Sequence, residues 1–112
     1  MVYDLPLPFD KKLTVIFRVE PGCLGPDGID HIEGFCKFAK AEVLTLDADF
    51  VSWEIIPRYD KTLAETEYKI NEKRLTHDKL EKYLGVFAKQ PDEFEEHLHE
   101  KLSVLIDQYL GR

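Results

Sequence analysis

The chain has no long apolar run, few cysteines and fewer basic than acidic residues. No apolar stretch approaches the roughly 20 residues that a membrane-spanning helix requires, and no basic start leads into an apolar segment, as in a signal peptide. We therefore expect a cytoplasmic protein that makes no membrane contact. The 2 cysteines are expected to be free thiols in that compartment.

The shortage of basic residues limits the choice of partner. The chain carries 15 Lys and Arg against 22 Asp and Glu, a net charge of −7. Nucleic-acid binding depends on clustered Lys and Arg that release counterions from phosphates, so we expect no direct binding to nucleic acid. The charge is uneven, since residues 90–112 hold 6 acidic and 2 basic residues. Such a segment is either a solvated helix face or a surface for a protein partner.

Motifs for cofactors and metals are also lacking. The chain matches neither the phosphate-binding pattern G-x-x-x-x-G-K-[ST] nor the dinucleotide pattern G-x-G-x-x-G. On a helix, His97 and His99 would point about 200° apart, which prevents both from binding one ion. We expect no cofactor and no metal. Without a catalytic signature, a non-catalytic protein is favoured over an enzyme.

Alternating apolar residues predict the strands. The length indicates a single domain, 1–112, and two prolines indicate an extended N-terminal arm over residues 1–11. Residues 12–20 alternate as a strand with one buried face, and residues 50–56 form a second. A third strand covers residues 67–70, and a turn at Asn71-Glu72, a weakened form of Asn-Gly, leads into a short fourth. Glu54 alternates outward, so we expect it to be exposed or paired with Arg18 or Lys69.

Capping signals predict three helices. Asp30 and Glu33 form a capping box that starts the first helix, which runs to about Leu44. Thr76 caps the second helix, and a second capping box at Asp92 starts the last one. The order β-α-β-β-(β)-α-α predicts an α+β fold, with helices packed on one face of a small, mostly antiparallel sheet of three to four strands.

Two loops are predicted to meet at one edge of this sheet. If the first two strands are parallel, their carboxyl ends share an edge, where ligands commonly bind. Loops 21–29 and 57–64 would then form a candidate small-molecule or anion site, with Cys23 as a nucleophilic thiol and His31 as its base. A plain structural turn is the alternative. The candidate residues of this edge are Cys23, His31, Arg58, Tyr59 and Asp60.

A second candidate surface lies on the last helix. Helical spacing places four acidic residues along one outer face, namely Glu93, Glu96, Glu100 and Asp107. The helix dipole accounts for acids in the first turn, but not for Glu100 or Asp107. An acidic face of this kind docks basic proteins or imitates the phosphates of DNA.

Together these patterns favour a small soluble protein that acts through protein–protein contacts, in a regulatory or adaptor-like role. A ligand or thiol site at the edge formed by loops 21–29 and 57–64 is the first alternative. An acidic nucleic-acid mimic is the second. A homodimer is also open, because an unpaired edge strand could join a second copy.

Overall fold

The described part of the chain is an α+β structure with a four-stranded sheet. A computed structural model describes Leu5 and residues 7–111. The strands are β1 (Leu13–Val19), β2 (Val51–Pro57), β3 (Thr66–Ile70) and β4 (Lys73–Arg74). The α-helices are α1 (Gly28–Val43), α2 (His77–Val86) and α3 (Pro91–Tyr109). The predicted α+β class is confirmed, and the structure adds two 3-10 turns, at Phe9–Lys11 and Pro21–Leu24.

The sheet is mixed, so the prediction of a mostly antiparallel sheet is matched only in part, because one pair of strands is parallel. Its strand order is β2-β1-β3-β4. β1 pairs with β2 in parallel, from Leu13 opposite Val51 to Val19 opposite Pro57, while the pairs β1–β3 and β3–β4 are antiparallel. The parallel pair is possible because α1 carries the chain back to the starting end of the sheet. The placement of all helices on one face remains a prediction.

Strand β1 is buried on both faces, which corrects the prediction of one buried face. Val15 and Phe17 on the predicted face are buried, and so are Ile16 and Arg18 on the other. β1 lies between two neighbouring strands, and central strands are commonly covered on both sides. The alternation of apolar residues along one strand does not show whether that strand is central in the sheet.

The buried Arg18 is neutralised by a residue other than the predicted one. Its Nη1 lies 2.8 Å from Glu67 Oε1 and donates to the carbonyl oxygen of Ala64 at 2.6 Å. The hydrogen bond from Arg18 holds the pKa of the Glu67 carboxyl below its usual value. Glu67 stands opposite Ile16, diagonally from Arg18, within reach of long side chains. Glu54 is exposed.

Helix α1 begins two residues before the predicted capping box. Its N-cap is Asp27, which makes no side-chain capping hydrogen bond, so the predicted capping by Asp30 is wrong. α1 contacts β2, and its stripe of buried side chains lies on one side of the helix. The buried residues of the stripe are Ile32, Phe35, Cys36, Ala39 and Val43.

Two local turns have the backbone that their sequences indicate. Asn71 and Glu72 join β3 to β4 with φ values of 49° and 66°, as a type I′ turn requires. Thr76 caps α2 by accepting a hydrogen bond from the Lys79 backbone N–H at 3.4 Å. α3 begins at Pro91 after Gln90, which makes no side-chain cap, so the capping box predicted at Asp92 is wrong.

The structure divides into two compact units, one ending at Arg74 and the other starting at Leu75.

Within the predicted N-terminal arm, Leu7 is buried and its backbone N–H donates to the carbonyl oxygen of Asp49 at 2.8 Å. Residues 1–4 and 6 of the arm lie outside the described residues. Among the helices of the described chain, none has the length and apolar character of a membrane span. The single-domain organisation remains a prediction.

The C-terminus of α2 adopts a Schellman motif with an alanine where glycine is usual. The backbone N–H of Ala88 donates to Gly85 O at 3.1 Å and that of Lys89 to Leu84 O at 2.9 Å. These are the two bonds that define the motif. They require Ala88 to adopt a φ of 59°, which is costly for any residue with a Cβ.

Replacing Ala88 with glycine should therefore stabilise the protein. We expect Ala88→Gly to raise the free energy of unfolding by about 0.5–1 kcal/mol, because relief of left-handed strain exceeds the entropy cost of glycine. Urea denaturation measures the change. The matched control is Ala41→Gly at an exposed position of α1, which should lower the free energy of unfolding by about 1 kcal/mol. Equal destabilisation by both substitutions would contradict the strain at Ala88.

Candidate functional site

The parallel pairing of β1 and β2 brings two segments to one edge of the sheet. Val19 and Pro57 are register partners at the ends of the two strands. The backbone N–H of Arg58 then donates to Val19 O at 2.8 Å. The chain after β1 forms the 3-10 turn and the start of α1, so most of the predicted loop 21–29 has regular structure. The chain after β2 forms loop 58–64.

Arg58 holds this edge together. Its Nη1 pairs with Glu20 Oε1 at 2.6 Å, which joins the loop to the end of β1. Its Nε and Nη2 donate to the carbonyl oxygen of Leu63 at 3.2 and 3.0 Å, and Nη2 also reaches Lys61 O at 3.3 Å. We call these contacts the Arg58 clasp. Because they engage most of the guanidinium donors, Arg58 is poorly placed to bind an anion.

The other two predicted residues of loop 58–64 also make structural contacts. The Tyr59 hydroxyl donates to Glu33 Oε1 on α1 at 3.4 Å. Partial loss of solvent and the nearby Glu33 carboxylate raise the Tyr59 pKa. Asp60 Oδ1 accepts hydrogen bonds from the Thr62 hydroxyl at 2.6 Å and the Thr62 N–H at 2.9 Å, and these bonds lower the Asp60 pKa. The loop is thus fixed both to itself and to α1.

Cys23 and His31 lie on consecutive elements of the same edge. Cys23 is exposed in the 3-10 turn, and its backbone N–H donates to Glu20 O at 3.0 Å. His31 is exposed on α1. Within the described residues, no hydrogen bond joins their side chains. The structure therefore places all five predicted residues on elements of this edge, and Arg58, Tyr59 and Asp60 each make side-chain hydrogen bonds there.

The second cysteine is a core residue. Cys36 is buried in the apolar stripe of α1, where desolvation and the Glu33 carboxylate raise its pKa to about 11. Its thiol therefore remains protonated at neutral pH. Across the part of the chain that the structure describes, no group of three or more His, Cys, Asp or Glu residues could hold a metal ion.

A backbone contact that sequence inspection did not predict fixes the turn before α1. A Cβ on Gly28 would overlap the carbonyl oxygen of Pro21, so only glycine allows the turn to approach the helix so closely. Gly25, between them, has a φ of 93°, which residues with a Cβ avoid. The richness in glycine of residues 21–28 was the only signal for this contact.

The second candidate surface is the acidic ridge of α3, which we define as Glu93, Glu96, Glu100 and Asp107. All four are exposed, and by helical geometry they fall within a sector about 60° wide. The opposite side of α3 is buried. Within the described chain, Glu93, Glu96 and Glu100 form no ion pair with a basic side chain. The buried residues of α3 are Pro91, Phe94, Leu98, Leu102 and Leu105.

Comparison of the chain with models of protein families, with curated proteins and with solved structures found no match. The two candidate surfaces therefore have to be compared by their geometry. At the sheet edge, the side chains of Arg58, Tyr59 and Asp60 are engaged in contacts within loop 58–64 or with Glu20 and Glu33. On the acidic ridge of α3, the carboxylates of Glu93, Glu96 and Glu100 are exposed and have no cationic partner among the residues that the structure describes.

The contact at Gly28 can be tested by a single substitution. We expect Gly28→Ala to lower the free energy of unfolding by about 1–3 kcal/mol or more, because the added methyl group must displace backbone. Gly22→Ala is the matched control, since nothing lies within 4 Å of the position that its methyl group would occupy, and it should change stability little. If Gly28→Ala is as stable as the control in urea titrations, the close approach is wrong.

The two thiols should differ sharply in reactivity. In the native protein at neutral pH, iodoacetamide is expected to modify the exposed Cys23, whereas Cys36 should react only after unfolding because it is buried and protonated. Mass spectrometry of peptides after timed labelling measures both rates, with labelling in denaturant as the control. Equal labelling rates of Cys23 and Cys36 in the native protein would contradict the burial of Cys36. A native Cys23 as slow as Cys36 would remove the thiol alternative.

Proposed function

We propose that this protein is non-catalytic and acts by docking onto a basic protein partner through the acidic ridge of α3. The observation that carries the proposal is the exposure of Glu93, Glu96 and Glu100 on the side of α3 opposite its buried residues, where they form no ion pair with any described residue. A partner with Lys or Arg residues in matching positions would form ion pairs with these three carboxylates. Such a docking role fits a regulatory or adaptor-like protein.

The acidic ridge has an energetic cost within the isolated chain. Glu96 and Glu100 are four residues apart, and like charges at that spacing destabilise a helix by about 0.2–0.5 kcal/mol. The helix dipole favours acids only within the first turn, which includes Glu93 but not Glu100. Cationic groups of a partner would convert this repulsion into attraction. They would also accelerate association by electrostatic steering.

The two alternatives receive less support. A ligand or thiol site at the sheet edge would need free polar groups. The guanidinium of Arg58 is already bonded to Glu20 and Leu63, and the carboxylate of Asp60 already accepts hydrogen bonds from Thr62. A nucleic-acid mimic would use the same acidic ridge toward a DNA-binding protein. Identification of the partner separates that possibility from other basic proteins.

Capture of the partner by the tagged full chain, followed by charge reversal, tests the proposal. We expect Glu96→Lys/Glu100→Lys to weaken binding of the purified partner at least tenfold, because two attractive contacts become repulsive. Binding to the unmodified protein should also weaken as salt is raised. Dissociation constants for the purified pair, measured by calorimetry, provide both comparisons.

A second charge reversal controls for the change in net charge. Glu42→Lys/Glu54→Lys alters two exposed glutamates on α1 and β2 and changes the net charge equally. It should leave the dissociation constant within about twofold of the unmodified value, because neither glutamate belongs to the acidic ridge. If both pairs of substitutions weaken binding equally, or if the ridge variant binds normally, the acidic ridge is not the docking surface.

A further inference from the structure

One register row crosses all four strands of the sheet and consists of side chains that donate hydrogen bonds. Thr14 on β1 stands opposite Ser52 on β2 and opposite Lys69 on β3. Lys69 in turn stands opposite Arg74 on β4. Residues directly opposite each other share a face of the sheet and lie about 5 Å apart. Two hydroxyls, an ammonium and a guanidinium therefore follow one another across one face, and we call these four residues the donor row.

The donor row lies on the face of β2 that α1 does not cover. α1 contacts β2, and it must pack on the side of β2 whose side chains are buried. These buried residues are Val51, Trp53 and Ile55. Ser52 alternates with them and therefore points to the opposite face. Along the row, Ser52, Thr14 and Lys69 are half-buried and Arg74 is exposed, so a ligand can reach the row from its β3–β4 end.

That end of the donor row holds two cations without a carboxylate of their own. Among the residues that the structure describes, neither Lys69 nor Arg74 forms an ion pair. Glu67, two residues before Lys69 on the same face, is already paired with Arg18. The hydrogen bond from Arg18 lowers the Glu67 pKa most, and the charges of Arg74 and Lys69 lower it further, so three cations act on one carboxylate. Like charges directly opposite each other destabilise a sheet, and a bound anion would remove that repulsion.

The charge of Glu54 disfavours an anion at the other end of the donor row. Glu54 lies two residues after Ser52, on the same face of β2, and is exposed. A negatively charged ligand is repelled there. It is attracted instead to Lys69 and Arg74, where the neighbouring Thr14 hydroxyl adds a third donor.

We propose that the donor row binds a phosphoserine side chain of a partner protein. A phosphate monoester carries about two negative charges at neutral pH and three acceptor oxygens, which match two cations and an adjacent hydroxyl. The planar guanidinium of Arg74 is suited to binding two phosphate oxygens at once. This surface is separate from the acidic ridge of α3, and the inference does not rest on the proposed function.

The position of the donor row favours a phosphate that is attached to a protein. Because the row lies on a strand face and ends at the exposed Arg74, its residues contact a phosphate from one side only. The other side of the phosphate is left for the chain that carries it. Free small ligands, in contrast, are usually enclosed in concave pockets.

Titration of the isotope-labelled full chain with a phosphoserine peptide, followed by nuclear magnetic resonance, tests the proposal. The probe is Gly-Ala-phosphoserine-Ala-Gly with both ends blocked, and two comparison peptides carry serine or glutamate in place of phosphoserine. We expect saturable chemical-shift changes centred on the amides of Thr14, Lys69 and Arg74. The glutamate peptide, with a single charge, should bind at least tenfold more weakly, and the serine peptide should give no saturable change.

Two pairs of substitutions assign the binding to the donor row. Lys69→Gln/Arg74→Gln should bind the phosphoserine peptide at least tenfold more weakly, because both charges are lost. Lys37→Gln/Lys40→Gln removes two exposed cations of α1 and lowers the net charge equally, and it should bind like the unmodified protein. Circular dichroism checks that each variant is folded.

Several outcomes would overturn the proposal. One is the absence of saturable binding to the unmodified protein, and another is a set of shift changes centred away from the donor row, which needs no variant to detect. Normal binding by Lys69→Gln/Arg74→Gln, or equal loss of binding in both variants, would also overturn it. Glycerol phosphate represents a free small ligand, and tighter binding of glycerol phosphate than of the peptide would overturn the assignment to a protein side chain.

Discussion

The parallel pairing of β1 with β2 is the constraint on which the rest of the first unit depends. Because Val19 and Pro57 end their strands opposite each other, the next residues, Glu20 and Arg58, meet and pair at 2.6 Å. That ion pair anchors the Arg58 clasp, which shapes loop 58–64 and directs Tyr59 toward α1. The close approach of Pro21 to Gly28 fixes the other side of the same edge.

This constraint bears on the proposed function because it engages two polar residues of the predicted ligand site. The guanidinium of Arg58 and the carboxylate of Asp60 are engaged within loop 58–64, and the thiol of Cys36 is buried and protonated. Charged groups that face solvent lie instead along the acidic ridge of α3. Exposed charged groups of this kind support the proposed docking of a protein partner, because complementary charge helps to determine which partner binds.

Periodic patterns in the sequence predicted the strands and helices, although both capping boxes assigned from local sequence were wrong. Alternation located β1, and the helical repeat placed Glu93, Glu96 and Glu100 on the outer side of α3, because both follow from backbone geometry. The burial of Arg18 and its pairing with Glu67 depend on which strands flank β1, which alternation does not show. The start of α1 at Gly28 depends on a carbonyl oxygen seven residues earlier. Once a parallel register is assumed, however, the pairing of Glu20 with Arg58 could have been predicted.

Carboxylate footprinting of the isolated complex tests the central claim most directly. Carbodiimide-activated labelling, read by mass spectrometry, compares each exposed carboxylate in the free protein and in the complex with its native partner. We predict that Glu93, Glu96 and Glu100 are labelled in the free protein and protected in the complex, while Glu42 and Glu54 are labelled equally in both. Equal labelling of Glu93, Glu96 and Glu100 in the two states would contradict docking through α3.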